Sequence, residues 1–82
     1  MMFKAKLGEK TFDVSSVSVI RIEEKTGFIL EIPKIDVELT NWEAQTFVLK
    51  NGRTTVASLR VVIQRIDLRD DGTMILRLLQ EA

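Results

Sequence analysis

Apolar and polar residues alternate with a period of two along most of this chain, and clusters of turn residues cut the alternation into short runs. That period places one side chain in two on the same face of an extended strand. Residues 45–57 read Gln-Thr-Phe-Val-Leu-Lys-Asn-Gly-Arg-Thr-Thr-Val-Ala, two β-prone arms around Asn51-Gly52. Asn-Gly tolerates the positive φ that both central positions of a type I′ turn require, so a hairpin is predicted there. A two-residue loop would set Lys50 opposite Arg53, Leu49 opposite Thr54 and Phe47 opposite Val56. The second arm runs on to Leu68 and is the longest β-like run in the chain.

The same pattern predicts the other elements. Residues 3–14 form a hairpin with Gly8-Glu9 as a type II′ turn, pairing Ala5 with Phe12, Phe3 with Val14 and Lys4 with Asp13. Ser15-Ser16 interrupts the pattern, as hydroxyl pairs do at turns. Residues 17–22 and 28–32 are strands around a polar turn, 23–27, that ends in glycine, and Pro33 stops the second of them. Ile35, Val37 and Leu39 alternate with Asp36 and Glu38, as a further strand would. Residues 40–43, Thr-Asn-Trp-Glu, have capping-box spacing, but a corner between strands fits their position better than a helical turn. A last hairpin turns at residues 69–72 with Gly72 left-handed, pairing Leu68 with Met74, Ile66 with Leu76 and Arg65 with Arg77. Leu59, Val62, Ile63 and Ile66 also lie at helical spacing. Clustered Val and Ile with turn signals on both sides favour a strand. Seven or eight short strands in one small domain (1–82) predict an all-β fold, a small antiparallel β-barrel built from consecutive hairpins, which also reduces exposed strand edges.

Composition narrows the chemistry. Twelve basic residues balance twelve acidic ones, so no net field draws in nucleic acid or an acidic membrane surface. Cysteine, histidine and tyrosine are absent. That removes disulfides, thiolate metal sites, the commonest general base and the commonest metal ligand. No run approaches the roughly 18 apolar residues of a membrane helix, and the expectation is a cytoplasmic protein without metal or cofactor. Asp36/Glu38 and Asp70/Asp71 sit on solvated strand faces or turns, not in a pocket that could tune a carboxylate pair. The serines have no histidine to activate them. A non-catalytic role is therefore expected.

Two sets of residues remain. Arg65, Asp67 and Arg69 share one strand face, which suits either a solvated charged surface or a phosphate held by arginine forks. Trp42, the only tryptophan, reads as a plug over an open barrel end or as an anchor for a partner.

Asp13-Val-Ser-Ser-Val-Ser18, followed by the strand Val19-Ile-Arg-Ile, resembles the Asp-x-Ser-x-x-Gly motif of the PilZ family, bacterial receptors for cyclic di-GMP. Residues 57–66 and 74–79 are similar to that family's last two strands. The resemblance implies a β-barrel in signalling and makes Asp13 and Ser15 candidate ligand residues, with Arg65 and Arg69 as the nearest match to the family's Arg-x-x-x-Arg clamp. Departures are plain: the motif glycine is Ser18, the arginine pair lies in a late hairpin, and no clamp loop precedes Phe3. The resemblance and its departures together imply a degenerate PilZ-like module that has lost cyclic di-GMP binding and acts through protein contacts or self-association. A cyclic dinucleotide or phosphate receptor is the first alternative. A subunit of a larger assembly and an oligonucleotide-binding barrel come next. The last is disfavoured because Phe3, Phe12, Phe28 and Phe47 all fit inward positions. Val17, Val19, Ile20 and Ile22 cannot all face one side of a strand, so part of that strand is expected to pack against another layer or chain.

Overall fold

Tight turns set the architecture of the computed structural model, which describes residues 2–33 and 38–81. Its strands are β1 (Phe3–Leu7), β2 (Lys10–Val14), β3 (Ser16–Ile22), β4 (Lys25–Ile32), β5 (Gln45–Asn51), β6 (Thr54–Leu68) and β7 (Met74–Gln80). They form one antiparallel sheet in the order β2-β1-β5-β6-β7-β4-β3, with no helix among the described residues. Residues 35–37 of the expected fifth strand lie outside the described residues, and Glu38 and Leu39 are not in a strand. Residues 40–44 form an irregular corner in which Asn41 Oδ1 accepts the Glu43 N–H at 3.0 Å, a local bond that competes with helix formation.

The first hairpin has the expected register, Phe3 with Val14 and Ala5 with Phe12, and Gly8 takes φ 60°. The last one also agrees: Leu68 faces Met74, Ile66 faces Leu76, and Gly72 sits at φ 87°. Two turns differ from expectation. The β3–β4 loop is Glu23-Glu24 alone, with both glutamates at positive φ (49° and 69°), and Gly27 lies inside β4. In the central hairpin Asn51 pairs with Thr54, so Gly52-Arg53 is the loop and Gly52 carries the positive φ. This is type II′ chemistry instead of type I′.

The same hairpin carries a bulge, and its physical reason is face parity. A continuous two-residue register would set Phe47 and Leu49 on the same face as Thr54, Val56 and Ser58. Instead Val56 is skipped as a bulge, and Leu49 then meets Ala57 and Phe47 meets Leu59. A second irregularity skips Gln64, so Val61 and Ile63 share the inner face with Ile66. The three-residue step from Ile63 to Ile66, which looks helical in sequence, is the trace of that bulge.

Seven strands laid flat would put β2 and β3 about 29 Å apart at about 4.8 Å per step. Only Ser15 separates Val14 from Ser16, a reach of about 7 Å. The sheet must therefore roll up. Phe28 on β4 and Phe47 on β5, three steps apart in the sheet order, touch across the interior with ring centroids 5.2 Å apart and planes at 57°. Inward residues from six strands fill this space: Leu7, Val14, Leu30, Ile32, Phe47, Leu49, Val61, Leu76 and Leu78 are fully buried. Among the described residues no ladder joins β2 to β3, so the sheet is rolled but not closed.

Candidate functional site

Rolling the sheet turns one face of each strand outward, and on β3, β4, β7 and β6 that face is organised in rows. Cross-strand partners run Ile20, Gly27, Leu79, Val62 in one row. The next row is Ser18, Ile29, Arg77, Arg65, and the third is Ser16, Glu31, Ile75, Asp67. The first row is apolar throughout. Gly27 is what lets it close up: a Cβ there would stand 2.9 Å from Ile20 Cγ1 and 3.4 Å from the Leu78 carbonyl oxygen. Ile20 thus lies over the β4 backbone, and Leu79 and Val62 continue the stripe.

The expected ligand residues are spread over this frame and engaged by neighbours. Asp13 lies on edge strand β2, and its Oδ1 is 2.7 Å from Lys4 Nζ. Ser15 bridges the two sheet edges, its N–H donating to the Glu31 carbonyl at 2.8 Å and its hydroxyl to the same oxygen at 3.2 Å. Arg69 Nη1 donates to Glu31 Oε1 at 3.0 Å. Arg65 Nε meets Asp67 Oδ2 at 2.8 Å along its own strand. Ser15 and Arg69 are therefore brought together, on the two ends of Glu31. Asp13 and Arg65 hold separate ion pairs. Exposed pairs of this kind contribute about 1 kcal/mol at most.

Trp42 is 52% exposed in the corner before β5, so it does not plug the interior. The polar group that is buried there is Gln45. Its Nε2 donates to the Asn41 carbonyl at 2.6 Å and its Oε1 accepts from Asn41 Nδ2 at 3.4 Å. A cleft of about 280 Å³ beside it is lined by Leu7, Gly8, Leu39, Asn41 and Ile63. Among the described residues no buried side-chain nitrogen or oxygen lacks a partner, and the polar groups that border the cleft besides Asn41 and Gln45 are those of Glu9, Lys10, Glu38 and Thr40.

Among the described residues one titration is perturbed. Asp71 in the last turn is held below the usual carboxylate range, first by the Thr73 N–H that it accepts at 2.9 Å and then by the Thr73 hydroxyl. It is a turn-forming carboxylate. Among the described residues no three His, Cys, Asp or Glu side chains converge as metal ligands. Among the described residues no helix is long and apolar enough to cross a membrane.

No family model, no curated protein and no solved structure matches this chain.

The residues that sequence reasoning passed over are Gly27, Val62 and Leu79. A glycine inside a strand pattern signals a close approach by another group. That signal is masked in the sequence because residues 23–27 look like one turn.

Proposed function

We propose that this chain is a non-catalytic interaction module, a barrel-like PilZ-shaped domain that acts through protein contacts and not through cyclic di-GMP. The observation that carries this reading is the outward row Ile20, Gly27, Leu79, Val62. Gly27 in this row is buried and Ile20, Leu79 and Val62 are half-buried, and the apolar area they leave open gains burial only from something docked on it. Trp42, exposed at a corner, is a second place for a partner to gain burial. The engagement of Asp13, Ser15, Arg65 and Arg69 by neighbours supports the loss of the ligand site.

A phosphate-ligand reading keeps one specific support. Arg65 faces Arg77 across β6 and β7, and like charges directly opposite are unfavourable unless an anion or carboxylate lies between them. Asp67 already meets that need for Arg65, so the contact-module reading is preferred.

The test is a melt of the purified protein with and without cyclic di-GMP. A ligand of the native state at 100 times its Kd adds about 2.7 kcal/mol, more than about 10 °C for a domain of this size. No shift is expected. A shift that grows with ligand concentration would replace this reading with the receptor. In parallel, Leu79→Lys should keep the native melt and release whatever protein the native chain retains on a column. Equal retention by both forms would remove the outward row from the contact surface.

A further inference from the structure

We infer that two copies of this chain join through β3, antiparallel about a two-fold axis at Val19, to make one continuous sheet. This rests on the proposed reading as a contact module and names one partner, a second copy.

β3 ends the sheet order, and among the described residues nothing pairs with its outer side. Its free groups can be assigned. Ile22 and Lys25 flank the two-residue loop Glu23-Glu24, and such a flanking pair exchanges both hydrogen bonds. Alternation then directs Ile20, Ser18 and Ser16 toward β4 as well. Val17, Val19 and Arg21 therefore turn their N–H and C=O groups to the open edge.

Those six groups select one register. With Val19 opposite Val19 of the second copy, Val17 falls opposite Arg21 and Arg21 opposite Val17, and all six bonds form. Sliding by one pair in one direction sets Val17 opposite Glu23, a turn residue at positive φ. Sliding in the other sets Arg21 opposite Ser15, which lies outside the strand and has its N–H on Glu31. The central register also keeps charges apart, since the two Arg21 side chains stand at opposite ends of the joint. It buries Val19, which is 61% exposed in the single chain. On the outward face it sets Ile20 beside Ser18 of the second copy, large against small.

Arg21 is the one edge-protecting charge that β3 carries. The strand has no proline, no lysine and no register shift in its ladder with β4, and a long regular β-branched edge is a pairing template. The other edge, β2, is shorter and presents Lys10, Thr11 and Asp13. The asymmetry between the edges favours β3 with β3, which closes as a dimer, over β3 with β2, which would propagate as a filament.

Light scattering on the full chain from micromolar to millimolar concentration should give twice the 9.4 kDa chain mass. Val19→Lys places two ammonium groups on the axis and should return a single-chain mass with the strand signal in circular dichroism unchanged. The chain has no native cysteine, so Val19→Cys reads the register directly. Opposed residues in a hydrogen-bonded pair stand about 5.5 Å apart, within the span of a disulfide. Oxidation should cross-link Val19→Cys and leave Val17→Cys uncross-linked, because the two Val17 positions are about 14 Å apart along the strands. A single-chain mass at millimolar concentration overturns the inference, and so does equal cross-linking of both variants. A mass that climbs without limit overturns it in favour of the filament. A dimer that Val19→Lys does not dissociate overturns β3 as the joint but leaves the contact-module reading standing. A shift with cyclic di-GMP removes that reading independently.

Discussion

The Glu23-Glu24 turn stores conformational energy that a sequence change should release. Both residues sit in the left-handed region, at φ 49° and 69°, where the Cβ of an L-residue crowds its own backbone at about 1–2 kcal/mol per residue. Glycine escapes that crowding but loses about 0.5–1 kcal/mol more conformational entropy on folding. Replacing Glu24 by Gly therefore nets roughly 0.5–1 kcal/mol. Asn at the first position, the better αL former, adds a few tenths more. The double change Glu23→Asn, Glu24→Gly should stabilise the fold by about 1 kcal/mol. For a domain of this size that raises Tm by about 4–8 °C.

The assay is thermal unfolding followed by circular dichroism at fixed protein concentration, with urea unfolding as a check that the m-value stays constant. Glu23→Gln, Glu24→Gln serves as the control, because it removes the two neighbouring charges but keeps both Cβ atoms. Most of the gain should be missing from the control. An unchanged or lowered Tm in the Asn-Gly protein would refute the reasoning, and so would an equal rise in the control, which would assign the effect to charge repulsion instead of backbone geometry.

Three further outcomes rest on specific contacts. Gly8→Ala forces a Cβ to φ 60° and to 2.8 Å from Gln45 Oε1; it should cost about 1–2 kcal/mol in backbone plus about 1 kcal/mol for each Gln45–Asn41 bond displaced, read as a lower urea midpoint. Gly27→Ala meets Ile20 Cγ1 at 2.9 Å and should cost about 1–3 kcal/mol, shrinking in an Ile20→Ala background; a double-mutant cycle with no coupling would show that Ile20 does not lie over Gly27. Asp71 binds its proton less readily folded than unfolded, so its contribution is present above the ordinary carboxylate range and is lost as pH falls through the lowered folded value. Asp71→Asn should accordingly show a smaller fall of Tm than the native chain in melts taken stepwise below pH 4, and identical acid profiles would contradict the Thr73 contacts.

Much of the fold was legible because hairpin chemistry is local. Gly8-Glu9 and Asp70-Asp71-Gly72 name their turn types by residue alone, and the register of β1–β2 and that of β6–β7 from Leu68 back to Arg65 come directly from them. The Asn51-Gly52 signal marked the right hairpin but the wrong pair of turn residues. The bulge at Val56 is settled by where Phe47 and Leu49 must point, and that depends on Ala57, Leu59 and Val61 across the strand. Residues 23–27 read as one turn, and its narrowing to Glu23-Glu24 was not legible because neither residue favours positive φ.

The candidate site was less legible than the fold. Apolar residues on both faces of residues 17–22 pointed to a contact surface, and that much is local. The stripe itself joins Ile20, Gly27, Leu79 and Val62 from four strands that are far apart in the chain, so no window of sequence contains it. Arg65, Asp67 and Arg69 looked like one cluster, yet Arg69 turns to Glu31 on β4, a partner 38 residues away.

By itself, the sequence determined strand content, most turn positions and which side chains seek the interior, because period-two alternation and turn propensity act within a few residues. Only the tertiary structure decided the sheet order β2-β1-β5-β6-β7-β4-β3, the bulges at Val56 and Gln64, and the rows of the outward face. Those depend on which strands share an interior. A sheet whose first and last strands are joined through Ser15 has to roll, and rolling selects the register in which every inward residue finds the same core.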